Sequence, residues 1–571
     1  MPTIVFQLAQ RFRQAINSAF GVDADPMVGP SQSEQFGDYQ SNAAMSLAKT
    51  VGAKPREVAE KIVARLDLSD MAAAPTIAGP GFINVRLSNT WLAKELQKLP
   101  ADRRLGIEKT VRPQTVVVDY SGPNVAKEMH VGHLRSTIIG DAISRVLEFQ
   151  GNTIIRQNHI GDWGTQFGML IQYVEELKDA SGAVTGVVLS DWEEFYRRAK
   201  EKFDGDPEFA SRARQAVVRL QNGESNANRT WKLIRDLSLS AHSEVYTRLG
   251  VLLALSDERG ESAYNADLPG IVTDLKKAGL AVESDGATVV FIDGEGKPPL
   301  IVQKTDGGYL YATTDLAAIR YRISQLHANR IVYVHDSRQA HHFAQVFATA
   351  KKAGWASDVS LEYAPFGTML GEDGKPFKTR TGGTVKLKEL LDEAEQRALA
   401  VVTEKNAALP EEQKTQIARA VGIGGVKYSD LAKDRISDYV FSFDKMLALD
   451  GNTAPYLQYA HARIQSIFRK AQAASSTGVQ IDLTSPFELA LAKHILRFGE
   501  VVEIVARELK PHHLCTYLYD LATKFSGFYE NCPVLQSDDK TRASRLALCE
   551  LTARTLESGL DLLGIEHPDQ M

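Results

Sequence analysis

The chain has 571 residues, 44% of them hydrophobic and 24% charged, with a formal net charge of −5; this is the composition of a folded globular protein with several cores, and it excludes disordered, collagen-like and coiled-coil classes. No run approaches the roughly 18 uninterrupted apolar residues of a membrane span and no basic leader with an apolar block opens the chain, so a cytoplasmic protein with no membrane partner is expected. Cys515, Cys532 and Cys549 lack any C-x-x-C pairing and read as reduced core thiols, while the mildly acidic balance gives no argument for a polyanion partner.

Val5, Leu8, Phe12, Ile16 and Ala19 recur at helical spacing and predict an amphipathic first helix. Gly29-Pro30 and Gly79-Pro80-Gly81 punctuate the chain after this helix, and the alternating run 82–87 predicts a strand. Phe82 and Asn84 share one face of that strand, where an aromatic ring to stack and an amide to pair could read a splayed base; a phenylalanine turned into the core is the alternative. These elements make a small α/β domain over residues 1–108.

The apolar run 115–118, the loop Ser121-Gly122-Pro123-Asn124 and a helix with Leu134, Ile138, Ala142 and Val146 on one face open a βαβ unit. Residues 153–155 form a second β-like run, and 331–334 supply a later buried strand. About 185–300 is too long for one connection and predicts a charged helical insertion with Gly-rich turns. From about 385 the pattern is helical: Leu457, Ala460, Ile464 and Ile467 mark one face, and Leu514, Leu518, Leu521, Phe525 and Phe528 another, predicting an all-α C-terminal bundle. Tyr456, Tyr459 and Arg463 share a helix face that could stack on and pair with nucleotides, interior packing being the alternative for the tyrosines.

His130-Val131-Gly132-His133 lies between a strand and the start of a helix, so two imidazoles and the free N–H groups of the first turn are expected to face one polyphosphate. Gly132 leaves room for a base or ribose, and the imidazoles can donate to phosphorus oxygens in the transition state. Two histidines without a third ligand make a poor metal site, so no tightly held metal is expected.

The nineteen residues Asp119 to Thr137, with Asn158 to Gly168, Tyr311 to Asp315 and Tyr456 to Arg463, resemble the bacterial class I arginyl-tRNA synthetases, and the resemblance spans the chain. It implies an α/β fold: a Rossmann-type parallel-sheet catalytic core over 109–450, the N-terminal domain touching the outer corner of tRNA, and an α-helical anticodon-binding domain over 451–571. It implies ligation of L-arginine to its tRNA through an arginyl-adenylate, with ATP as substrate with Mg2+, in a monomer. Carried over by motif, Asp119, Asn124, His133, Tyr311, Asp315 and Gln339 form the arginine-binding set. A guanidinium is a fork of five donors, and Asp315 with a tyrosine hydroxyl one turn away suits it. His130, Gly132 and His133 hold ATP.

The family's KMSKS loop is degenerate here over 374–383, with Pro376 and Thr379 where two lysines are expected. Lys375, Lys378 and Arg380 lie close by and could shield leaving pyrophosphate. Lys127, three residues before His130, is the expected compensating cation. A nucleotidyl transferase using H-x-G-H without RNA, or a synthetase-like RNA-binding protein without catalysis, are the alternatives.

Overall fold

The computed structural model describes residues 2–178, 192–292, 294, 297–377, 385–472 and 478–571. The helix Ile4–Phe20 starts where the Thr3 hydroxyl accepts from the Phe6 N–H and stops at Gly21, whose φ of +69° a side chain would resist. It buries Ile4, Leu8, Phe12, Ala15 and Ile16. This face lies over an antiparallel sheet of β1 (Val28–Pro30), β2 (Tyr39–Ser41), β3 (Thr76–Ala78) and β4 (Phe82–Val85) in the order β1-β2-β4-β3. On β4, Ile83 and Val85 enter the core as alternation predicts. Asn84 is buried as well, at 4% exposure, because Gln40 of β2 sits opposite it in register and donates to its Oδ1 at 2.8 Å.

The central sheet contains β5 (Thr115–Asp119), β6 (Thr153–Ile160) and β7 (Glu258–Gly260). Three antiparallel strands, β8 (Ala281–Ser284), β9 (Ala287–Val290) and β10 (Leu300–Gln303), form a separate small sheet. β11 (Arg330–Tyr333) and β12 (Ser360–Tyr363) then complete the central one in the order β12-β11-β5-β6-β7, with every pairing parallel. Val116, Val117 and Val118 are all fully buried, the continuous apolar run of a strand covered on both faces rather than an alternating one. β5 continues through the helix Val131–Phe149 to β6 on one side, whereas β11 continues through Ala340–Lys352 to β12 on the other. Opposite turns leave a crevice at the carboxyl ends of β5 and β11, where ligands bind in open parallel sheets.

The stretch 185–300 is not one helical insertion. Trp192–Gly205, Pro207–Gln221 and Ser225–Leu249 are helical, but Glu258–Gly260 pairs with Asn158–Ile160 in the central sheet, and the rest is Leu268–Lys277 with the small sheet. A three-residue strand between helices carries too little pattern to be seen in sequence.

Beyond Leu387–Lys405 and Glu411–Leu431, the helices Ala454–Ala471, Pro486–Leu496, Phe498–Glu508, His512–Asn531 and Asp539–Leu562 make the C-terminal bundle. Leu457, Ile464, Leu518, Leu521 and Phe528 pack inside it, and all three cysteines are buried free thiols. The N-terminal domain rests on the bundle: the Tyr39 hydroxyl donates to Glu500 at 2.8 Å, and Lys493 meets Asp38 at 2.7 Å. Among the described residues no helix is long and apolar enough to cross a membrane.

Candidate active site

His130 is the N-cap of Val131–Phe149, and its Nδ1 accepts from the Gly132 N–H at 3.0 Å. Three residues on, His133 Nδ1 accepts from the His130 N–H at 3.1 Å, and the rings lie 4.0 Å apart. A nitrogen that accepts carries no proton, so each neutral ring bears its hydrogen on Nε2 and offers it outward. Burial pushes His133 down to about 3, with His130 and His242 adding, and His130 is lowered by burial and then by Lys127. Both imidazoles are therefore neutral donors.

The first-turn N–H groups are not free, contrary to the sequence expectation. Val131 donates to Val385 O at 3.1 Å, Gly132 to the His130 ring and His133 to His130 O at 2.8 Å. The outward donors here are imidazoles rather than the helix terminus. Gly132 also has a different reason to lack a side chain: a Cβ there would stand 2.7 Å from His130 Cε1, so the space left is filled by its own neighbour.

Asn124 is exposed on the loop after β5 and bridges to Gly161, where a Cβ would come within 2.2 Å of the Asn124 Oδ1. The second motif thus closes on the first, glycine against amide. Ser121 is buried instead, its Oγ 2.8 Å from the Tyr246 hydroxyl, and is not turned to a ligand.

Asp119 ends β5 at 2% exposure. Its Oδ2 accepts from Arg322 Nη2 at 2.7 Å and its Oδ1 lies 3.5 Å from His335 Nε2. Burial opposes its charge, but Arg322 and then His335 hold it well below the usual carboxylate range. A substrate guanidinium there would compete with a resident one.

Tyr311 opens the helix Tyr311–Ser324 at 72% exposure, one turn before Asp315. Asp315 Oδ2 is 2.6 Å from His342 Nε2, on the helix that starts directly after the exposed Gln339. Glu261, which sequence reasoning passed over, joins this group. Burial pushes its carboxyl up to about 8, with Asp315 and Asp162 adding to the rise. Its only sequence signal is position directly after β7, itself unseen.

Lys127 is exposed, with its ammonium 5.2 Å from the Tyr196 ring centroid. Lys375 lines a cavity with Glu372, Asp373 and Arg397, whereas Lys378 and Arg380 lie outside the described residues. Among the described residues no cluster of histidine, cysteine and carboxylates could hold a metal.

On the nucleic-acid side, Phe82 is half-buried and the Asn84 carbonyl is taken by Gln40, so the face read as open at both residues is partly covered. Tyr456 packs on Tyr519 at 5.7 Å and the Arg463 guanidinium on Tyr529 at 4.2 Å. Tyr459 alone of the three stands out, at 47% exposure, beside a cavity of about 380 Å³ lined by Val421, Leu447 and the terminal Met571.

A parallel sheet whose crevice carries a paired-histidine helix cap is the catalytic fold of class I aminoacyl-tRNA synthetases, and residues 95–443 match the family described as tRNA synthetases class I (R), catalytic domain. Residues 7–87 match the arginyl tRNA synthetase N terminal domain and 457–571 the DALR anticodon binding domain. The arginine-tRNA ligase of Cellvibrio japonicus is 56% identical over 96% of this chain and 97% of its own. That of Proteus mirabilis is 53% identical over 99% of both. The crystal structure of the Plasmodium falciparum arginyl-tRNA synthetase superposes with a TM-score of 0.88 at 32% identity, covering 100% of each chain. The chain belongs to the arginyl-tRNA synthetases.

Proposed function

We propose that this chain joins L-arginine to its tRNA in two steps at the crevice between β5 and β11. A carboxylate oxygen of arginine attacks the α-phosphorus of ATP, which enters as its magnesium complex, and the bond to the β-phosphate breaks. Arginyl-adenylate and pyrophosphate result; a hydroxyl of the terminal adenosine of tRNA then takes the acyl group and AMP leaves.

His130 and His133 donate Nε2–H to phosphate oxygens as negative charge shifts onto the leaving pyrophosphate. Neutral donors suit this task, because they lose no proton to the ligand. Lys127, with Lys375, Lys378 and Arg380 around the degenerate loop, supplies cationic charge. Asn124 and Gln339 hold the amino and carboxylate ends of arginine, and Tyr311, Asp315 and Glu261 take its guanidinium, a cation that relieves the crowding of carboxyl groups. Asp119 contributes through Arg322 and His335, which it fixes beneath the site. Tyr459 and the cavity beside it accept a splayed base of the anticodon, with Tyr456 and Arg463 as its packed support, while Phe82, Asn84 and Gln40 meet the outer corner of the tRNA.

The reading is carried by the reciprocal His130–His133 cap at the carboxyl end of β5. Arginine-dependent exchange of pyrophosphate into ATP, measured with and without tRNA, tests it. Exchange and charging of arginine tRNA are expected, with exchange near background until tRNA is added because the loop lysines are displaced. Exchange with no charging would support a nucleotidyl transferase that acts without RNA, and tRNA binding with neither activity would support a non-catalytic protein.

A further inference from the structure

The loop between β5 and Val131–Phe149 has an unusual backbone. Ser121 and Ala126 both sit in the left-handed region, at φ +74° and +63°, with Gly122 at +59° between them. Non-glycine residues hold such angles only when their surroundings over-determine them. Here the surroundings include Ser136, whose Oγ accepts from the Ser121 N–H at 2.9 Å, Thr137, whose hydroxyl donates to Ser121 Oγ at 2.9 Å, and one stripe of one further helix. On Ser225–Leu249, Ser238, His242 and Tyr246 recur four residues apart and so share a face. The Ser238 hydroxyl accepts from the Ala126 N–H at 3.0 Å. His242 Nε2 lies 3.3 Å from the Lys127 carbonyl oxygen. The Tyr246 hydroxyl lies 2.8 Å from Ser121 Oγ and accepts from Asn158 Nδ2 at 3.0 Å.

All three side chains are buried, and Asn158 in turn accepts from the Gly122 N–H at 2.9 Å. The loop is therefore gripped at 121, 122, 126 and 127, on either side of Asn124 and just before His130. The Ser238 hydroxyl, which also donates to the Ile234 carbonyl at 2.8 Å, and the Tyr246 hydroxyl are both engaged by partners inside the fold, so they act through the loop.

We infer that Ser238, His242 and Tyr246 are positioning residues for adenylate formation, which hold the strained loop 121–127 so that Asn124, Lys127 and His130 meet the substrates in reactive geometry; this rests on the function proposed above. A misplacement of about 1 Å in such a group costs on the order of a hundredfold in rate. The stripe belongs to the segment between β6 and β7, so the segment sets the rate of a step whose reacting groups lie elsewhere.

Tyr246→Phe and Ser238→Ala each remove one hydroxyl and keep the packing. The full-length variants are compared with the unaltered chain in arginine-dependent pyrophosphate exchange with tRNA present, active sites being counted by the burst of adenylate formed in one turnover. The expected result is a rate per counted site about tenfold lower or more in each variant, with the KM for tRNA and the fraction of active sites unchanged. A structural role would lower the active fraction and leave the rate per site alone, and either that result or an unaltered rate overturns the inference. Absence of exchange in the unaltered chain with tRNA would instead sink the proposed function itself.

Discussion

Glu261 holds a proton at neutral pH, since burial and the carboxyl groups of Asp315 and Asp162 push it up to about 8. An arriving guanidinium reverses that balance and favours the ionised form. Arginine binding at pH 7 is therefore expected to release about one proton, read by calorimetry in buffers of different ionisation heat, and Glu261→Gln should abolish the release. Binding heats independent of buffer in the unaltered chain would remove Glu261 from the guanidinium site. His133 works in the opposite sense. Its folded value of about 3 lies below the ordinary 6.5, so its contribution to stability is complete above pH 6.5 and is lost as pH falls toward 3. The thermal midpoint of His133→Gln should accordingly fall less steeply between pH 6.5 and 4 than that of the unaltered chain. Parallel curves would show that the ring titrates normally. Asp315 could be found in sequence because it sits in a motif. Glu261 could not, because its proximity to Asp315 exists only after two strands and a helix have been placed.

At the scale of elements, the cap at the start of Val131–Phe149 shows why a motif is legible and its geometry is not. Histidines at i and i+3 around a glycine announce a helix start, but which nitrogen accepts, and which N–H groups are already used, depends on Val385, more than two hundred residues away. The runs 115–118 and 331–334 could be read because both faces are covered and Val116 to Val118 and Ile331 to Val334 are buried without a break. β7 could not, because the three residues Glu-Arg-Gly carry no strand pattern of their own. Gly132→Ala tests the cap. The added methyl would lie 2.7 Å and 2.8 Å from His130 Cε1 and Nδ1, so the ring must swing out and the bond it accepts from the N–H of residue 132 break. Alanine's gain in helix propensity, about 1 kcal/mol, offsets the lost cap bond, so the thermal midpoint should change little. Adenylate formation is expected to fall by about two orders of magnitude, with little change in tRNA affinity. Full activity in this variant would mean that His130 is not held as the cap requires.

Across the whole molecule, the parts meet at a buried lysine. Lys427 is fully buried, donates to the Leu249 carbonyl at 2.6 Å and also to that of Gly564, and burial lowers it to about 8. One ammonium thus ties the end of the helix that grips the active-site loop to the start of the C-terminal tail. Arg145 runs beside it, from Asp141 at 2.7 Å to the Gly250 carbonyl at 2.7 Å. Beyond Gly564 the tail is held by Gln458 at the Glu566 carbonyl, 2.7 Å, and ends with Met571 in the wall of the cavity beside Tyr459. Nothing in the local pattern around Lys427 distinguishes it from a solvated lysine, because its partners come from two distant segments. Lys427→Met keeps the length and apolar stem but leaves two buried carbonyls without this donor, at about 1–3 kcal/mol each. The variant should unfold at a lower temperature, be cut faster beyond Gly564 in limited proteolysis, and bind tRNA more weakly as Met571 leaves the cavity wall. Lys427→Arg, which retains donors, should recover part of the tRNA affinity. If Lys427→Met binds tRNA as tightly as the unaltered chain while its tail is digested faster, the tail does not contribute to tRNA binding.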